Sequence, residues 1–258
     1  MGFNGISGVL NAPGEIPWEL VVLFFGAGLI FVFLWGKKSG GLAKFTTVDL
    51  IYIGIGAAFA VVWEFYIGAF LGKFIPSNPF FGVGYMGRLI ALLIVAGLVR
   101  KVGVGMVSMF IFNLLSDLIS YGFSGEPMYF MYEMLTYGLM MDIVIAIAGK
   151  NLFGIRSPPR KSVADKSKID ANKNSSSSHY LSKIPGVYLA AIEGLAIGVF
   201  WAVPEPLFYS GFVAPFLYGG VVDWQAIIFG ILAFIPSAII LGAIGGVITL
   251  RIVKAVGQ

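Results

Sequence analysis

Apolar residues fall into seven runs, each about as long as a bilayer crossing, and polar residues gather between them. The runs cover residues 18–35, 48–71, 83–99, 104–121, 128–148, 184–203 and 224–250. Roughly 18 or more residues with at most one charge read as a transmembrane helix rather than a core helix. In lipid every backbone group must be satisfied within the protein, so the helix is the default spanning element, and the ten-residue alternation of a membrane barrel is absent. The pattern therefore predicts an all-α integral membrane protein with seven transmembrane helices. Trp18 and Trp35 bracket the first run as interfacial anchors. No Lys or Arg occurs in the first 36 residues, so the run lacks the basic flank of a signal peptide.

The connections carry the charge, and they carry it unevenly. Lys37, Lys38 and Lys44 follow the first run, and Arg100 and Lys101 follow the third. Eight basic residues fall between Lys150 and Lys183, and Arg251 and Lys254 close the last run. Together these are 15 of the 17 Lys and Arg residues, with only Lys73 and Arg88 elsewhere. Alternate connections being basic fixes an expected topology: a multi-pass protein of the cell membrane, N-terminus outside and C-terminus cytoplasmic. The chain divides into an N-terminal helix with a basic loop (1–45), four helices (46–150), a cytoplasmic polar linker (151–183) and two last helices (184–258). The linker contains the serine run 175–178 and buries too little apolar surface to fold alone. Residues 204–223 are apolar and aromatic, but Pro204, Pro206, Pro215, Gly211, Gly219 and Gly220 argue against a regular span. They are expected to form an outer loop or re-entrant segment.

Composition sharpens this by exclusion. Hydrophobic residues make up 58% of the chain, mean hydropathy is +0.91 and only 12% of residues are charged, against about 25% in a soluble domain. The net charge of +4 belongs to membrane-facing loops and signals no nucleic-acid partner. There is no cysteine and one histidine, His179 in the linker. Disulfides, thiolate chemistry and multi-histidine metal or haem sites are excluded. No phosphate loop, G-x-S-x-G or H-E-x-x-H motif occurs, so no catalytic residue, metal or cofactor is expected and the chain does not read as an enzyme. The two halves show no clear inverted repeat, which argues against a classical secondary transporter.

Ionisable residues inside spans are costly and point to function by default. The predicted topology gathers several on the outer side: Trp63 and Glu64 in the second run, Tyr85 and Arg88 in the third, and Asn113 and Asp117 four apart on one face of the fourth. Tyr129, Tyr132, Glu133 and Tyr137 lie in the fifth, with Trp201 and Glu205 at the end of the sixth. Carboxylates among aromatic faces suit a flat, cationic or hydrogen-bonding organic ligand. Each residue also has a plainer reading. Tyr and Trp at helix ends are commonly interfacial, Glu64 and Arg88 can pair structurally, and Asp142 and Glu193 lie deeper, where helix packing or partner contact explains them. Small residues form a second pattern. Gly54 and Ala58, and Gly56 and Ala60, allow close backbone approach, as do Gly242, Gly245 and Gly246 in the last run. They serve either packing within the bundle or docking of a partner helix.

Residues 48 to about 150 resemble the substrate-binding (S) subunits of energy-coupling-factor vitamin transporters, in particular the YkoE-type family linked to thiamine and its hydroxymethylpyrimidine precursor. The resemblance is carried by Val48-Asp49-Leu50-Ile51 leading into Phe59-Ala60-Val61-Val62, and by Gly82 to Val99 followed by Arg100-Lys101-Val102-Gly103. Further on it is carried by Asn113 to Asp117, by Gly122-Phe123-Ser124-Gly125-Glu126-Pro127, and by the helix with Glu133 and Asp142. It implies a six-helix bundle, here preceded by one additional N-terminal helix. A vitamin-like ligand would bind near the outer face under the loop 72–82. A small-residue face, occupied here by Gly54, Ala58 and Ala60, would dock a transmembrane coupling subunit that works with two ATPases. The expected ligand contacts are Trp63, Glu64, Arg88, Asn113, Asp117, Tyr132 and Glu133, with Trp63 and Tyr132 stacking and the carboxylates offsetting ligand charge. The competing expectation is a non-catalytic structural subunit of a larger membrane assembly. There the same buried acids and small residues would serve subunit contacts.

Overall fold

The structure is a computed structural model that describes residues 6–39, 41, 43–75, 79–122, 127–155 and 185–257. Most of the expected linker, with His179, and parts of the 72–82 and 122–127 connections lie outside the described residues. Among the described residues there are seven helices and no strand: α1 (Trp18–Ser39), α2 (Thr47–Gly72), α3 (Val83–Val99), α4 (Val104–Ser120), α5 (Met128–Ala148), α6 (Gly186–Tyr218) and α7 (Trp224–Ala255). Five of them, α1, α2, α5, α6 and α7, are long and apolar enough to cross a membrane. The chain thus has the make-up of a multi-pass membrane protein. Helices α3 and α4 are shorter, at 17 residues each by the bounds given. α3 is the central helix, with Leu89, Leu92, Leu93, Val95 and Ala96 almost wholly buried against α2, α4 and α7.

Successive helices run antiparallel, which leaves two distinct ends. At the basic end, Gly41 O accepts from Val102 N at 3.1 Å, and Lys101 Nζ reaches Lys44 O at 3.0 Å and also pairs with Asp49. Thr46 and Asp49 form a reciprocal capping box, so α2 starts where its sequence says it should. At the opposite, loop end, Trp224 Nε1 donates to Gly14 O at 2.9 Å.

Asp142 illustrates how the basic end is held. Its carboxylate accepts from Gly103 N (2.9 Å), Gly105 N (3.0 Å) and Met106 N (3.0 Å), so an acid on α5 caps the N-terminus of α4. The capping residue of α4 is Gly103, at φ 96°, which has no side chain to do so. Asp142→Ala is expected to cost about 2–4 kcal/mol, because three N–H groups, one buried and two part-buried, lose a carboxylate acceptor. A thermal melt in detergent checks this, and Asp142→Asn should recover part of the loss. Glu193 has an equivalent local role: it accepts from Phe153 N, whose residue sits at φ 55° in the turn after α5.

Of the outer loop or re-entrant segment expected at 204–223, the irregular-loop reading is corrected by the structure. Residues 204–218 continue α6 as helix, and only 219–223 form the connection to α7. The prolines are accommodated at helix starts. Pro204 follows a bend at Val203 (φ −99°, ψ −58°), and Pro215 follows a wide i→i+5 turn at Tyr209–Val213.

Gly242, Gly245 and Gly246 of α7 pack within the bundle. A Cβ on Gly242 would lie 2.4 Å from Gly194 O, one on Gly246 2.0 Å from Ala190 O, and one on Gly198 2.3 Å from Ala238 O. Ala190, Gly194 and Gly198 on α6 thus face Ala238, Gly242 and Gly246 on α7, small residues every four positions on both sides. On α2, Gly56 and Ala60 turn inward: a Cβ on Gly56 would meet Val95 at 2.0 Å, and Ala60 is fully buried. The expectation that Ala60 docks a partner is therefore corrected, since residues two apart in a helix face opposite ways. Gly54 has open space around its Cβ position, and it shares the outward face with half-buried Ala58 and exposed Ile51, Ile55 and Val62.

Candidate functional site

The loop-end half of the bundle holds a buried ionic cluster centred on Arg88. Arg88 lies five residues into α3, roughly 8 Å from its start, and is 4% exposed. Its Nε is 3.1 Å from Glu64 Oε2 on α2, and its Nη1 is 3.5 Å from Glu133 Oε1 on α5. Tyr129 donates to the same Glu133 oxygen at 3.2 Å. Four rings surround the guanidinium: Tyr137 at 4.6 Å, Phe112 at 4.9 Å, Tyr85 at 5.6 Å and Trp201 at 5.9 Å. Trp201 Nε1 donates to Tyr137 O at 2.9 Å, and Glu205 follows four residues later on α6, its carbonyl accepting from the Tyr132 hydroxyl at 2.6 Å. Five helices, α2 to α6, thus meet at one cation. Two carboxylates pair with one guanidinium, so the cluster carries more acid than base.

The helices are irregular where they reach this cluster. Wide i→i+5 turns occur at Trp63–Gly68, Asp117–Tyr121, Met134–Leu139 and Tyr209–Val213. Each adds a residue to its turn and rotates the following side chains relative to the regular helix, which re-aims them. Glu64, Asp117, Tyr137 and Tyr209 each lie within one of these turns.

Among the expected site residues, Glu64, Arg88 and Glu133 are brought into direct contact. Tyr132 joins them as a wall. Its hydroxyl donates to Glu205 O at 2.6 Å, and its ring lies about 6 Å from those of Tyr129 and Tyr209. Trp63 is wedged rather than free: its Nε1 donates to Val83 O at 3.0 Å and its ring occupies the space that a side chain at Gly87 would fill. Its expected role as a ligand-stacking ring is corrected to one of fixing α2 against α3. Asn113 and Asp117 are buried on α4, beyond Phe112. Asn113 Nδ2 and Asp117 Oδ1 have no hydrogen-bond partner among the described residues. Neither touches Arg88 in the contacts described. Buried polar atoms of this kind are costly unless something pairs with them.

Phe112 and Tyr137 were not among the expected contacts, nor were Tyr85 and Trp201. One signal was present: Tyr85 precedes Arg88 by three, Tyr137 follows Glu133 by four and Trp201 precedes Glu205 by four. At those spacings an aromatic ring shares a helix face with the charge.

The larger groove described, about 720 Å³, lies elsewhere, between α1 and α5–α6. Its lining, including Leu20, Phe24, Phe31, Met140, Ile143 and Phe208, is hydrocarbon. The polar and charged side chains of the Arg88 cluster do not line it. No family model, curated protein or solved structure matches this chain.

Proposed function

We propose that this chain is the substrate-capture subunit of an ATP-driven importer of the energy-coupling-factor type, taking a small vitamin-like molecule from outside the cell. In this reading all seven helices cross the membrane, the basic end is cytoplasmic and the loop end faces outward. The observation that carries it is the convergence of Glu64, Glu133 and Arg88 inside four aromatic rings at the loop end. A buried excess of carboxylate over guanidinium favours a cationic ligand, and thiamine or its pyrimidine precursor fits that chemistry. Asn113 and Asp117 add an unpaired donor and an unpaired acceptor for a polar ligand edge. The outward face of α2 around Gly54 and Ala58 would meet a transmembrane coupling subunit that couples to two ATPases.

The test is titration of the purified protein with thiamine by calorimetry, after native mass spectrometry has identified any small molecule retained from the cell. Glu64→Ala and Glu133→Ala are each expected to weaken binding at least tenfold, the order of one lost charge-assisted contact. Wild-type affinity in both variants would sink the assignment.

A second reading has its own support. Arg88 is already paired on both sides, and Trp63 and Tyr132 donate their polar hydrogens to backbone carbonyls. Such self-sufficiency also suits a structural subunit of a larger membrane assembly. Co-purification separates the two: ATPases and a coupling subunit support transport, and other membrane subunits without a retained ligand support assembly.

A further inference from the structure

The α6 wall of the Arg88 cluster is formed by residues 204–218, which supply the Glu205 carbonyl to Tyr132 and set the Tyr209 ring against Tyr129 and Tyr132. This stretch is poorly equipped to hold itself as a helix. Pro204, Pro206 and Pro215 have no N–H to give, the turn at Tyr209–Val213 is widened, and the helix stops at Gly219 (φ 76°). Besides Glu205 O, three of its carbonyls are met from outside the helix, these three all by one segment. Ile16 N donates at 2.8 Å to Gly211 O, the carbonyl four residues before Pro215. Gly8 N donates to Phe216 O at 3.0 Å and Ser7 N to Leu217 O at 3.1 Å, at the open C-terminal end. The approach is close: a Cβ on Gly8 would lie 2.1 Å from Pro215 O, and one on Gly211 would lie 2.8 Å from Ile16 Cδ1. The bond from Trp224 to Gly14 O pins the middle of the segment to α7.

Beyond these bonds the segment closes on itself, with Ala12 N donating to Glu15 Oε2 and Trp18 N to Asn11 Oδ1, both at 3.0 Å. Residues Ser7, Val9, Leu10, Asn11, Pro13 and Gly14 are exposed, and Asn11 and Gly14 take positive φ values of 59° and 92°. Elements held by a few exposed backbone hydrogen bonds, with little apolar burial, are those that open locally below the global unfolding transition. α1 continues directly from it and carries Phe24 and Phe25, whose rings lie 4.9 and 5.1 Å from that of Phe208 on the same wall.

We propose that residues 7–16 are a strap whose release loosens the α6 wall, so that the N-terminal segment gates access of a small solute to the Arg88 cluster. The identity of what passes rests on the capture reading above, whereas the strap itself does not. This gives the additional helix α1 a role, which is to anchor the strap beside the wall that it controls.

The chain contains no cysteine, so a Ser7→Cys/Leu217→Cys pair provides the sole thiols, with the strap locked when oxidised and free when reduced. Gly8→Val is the second variant, because its side chain cannot fit against Pro215 O. Hydrogen–deuterium exchange of the full chain in lipid nanodiscs is followed for residues 204–218 and for α3, and the association rate of thiamine is measured in parallel. Expected are exchange of 204–218 about tenfold faster or more in Gly8→Val and in the reduced pair than in the oxidised pair, unchanged exchange in α3, and slower thiamine association on oxidation. Equal exchange of 204–218 in all three forms would overturn the strap. So would acceleration spread evenly into α3, which marks a general stabiliser, or thiamine association unaffected by the lock. Thiamine that binds to no form, with the exchange difference intact, removes the capture reading and leaves the strap standing.

Discussion

Arg88→Ala is expected to destabilise the protein by about 3–5 kcal/mol, the cost typical of breaking a buried ion pair from one side. The physical reason is that Arg88 is the cation placed between Glu64 and Glu133. Its Nε is 3.1 Å from one and its Nη1 3.5 Å from the other, at 4% exposure. Without the guanidinium two carboxylates, Glu133 buried and Glu64 part-buried, are left without their cation beside Phe112, Tyr137 and Trp201. Arg88→Lys should recover little, because one ammonium cannot reach two acids as a planar fork does. Glu64→Gln/Glu133→Gln in the Arg88→Ala background should recover much of the loss, since it removes the stranded charges. Thermal or denaturant unfolding in detergent of wild type, Arg88→Ala, Glu64→Gln/Glu133→Gln and the three changes together closes a cycle. An Arg88→Ala protein as stable as wild type would mean that water reaches the cluster freely.

That cycle bears on function as well as on stability. If the cluster captures a cation, thiamine should raise the melting temperature of wild type and much less that of Glu64→Gln/Glu133→Gln, because a ligand stabilises in proportion to its affinity for the folded state. If the cluster is only structural, the neutral pair changes stability without changing any ligand response.

Gly246→Val and Gly242→Val are expected to be equally severe, by about 3 kcal/mol or more, at the upper end of overpacking costs. At Gly246 a Cβ would lie 2.0 Å from Ala190 O and at Gly242 2.4 Å from Gly194 O. Both obstacles are backbone, which can yield only if α6 and α7 separate along the length of their contact. Gly230→Ala on the same helix is the control, since its Cβ position has nothing within 4 Å. Yield and monodispersity on size exclusion, with the melting temperature, report the outcome. Tolerance of valine at both positions would show that the α6–α7 seam is looser than its geometry.

How much of this was legible in the sequence depends on the range of the interaction. Apolar runs placed α3 at 83–99, where the structure has it, and placed the other helices to within a few residues, apart from α6. The capping box at Thr46 and Asp49 is likewise a local pattern. Pro204, Pro206 and Pro215 misled because proline is judged against a regular helix. The structure places these prolines at helix starts beyond a bend and a widened turn, and the carbonyl left open by Pro215 is served by Ile16, almost 200 residues away. The pairing of Glu64 with Arg88 was visible as two opposite charges at similar depth. That Glu133 completes the pair, that Trp63 is a wedge against Gly87, and that Asp142 caps α4 were not visible.

What the sequence determined by itself is the set of helices, their alternating direction and the side of the bundle on which acids and aromatics collect, since hydrophobic length and charge asymmetry act segment by segment. Only the tertiary structure decided which small residues pack inward, which acids hold backbone and which hold Arg88, and where the helices widen. Those outcomes depend on how closely two helices approach and on a rotation of one residue in a turn, and neither leaves a periodic trace in the chain.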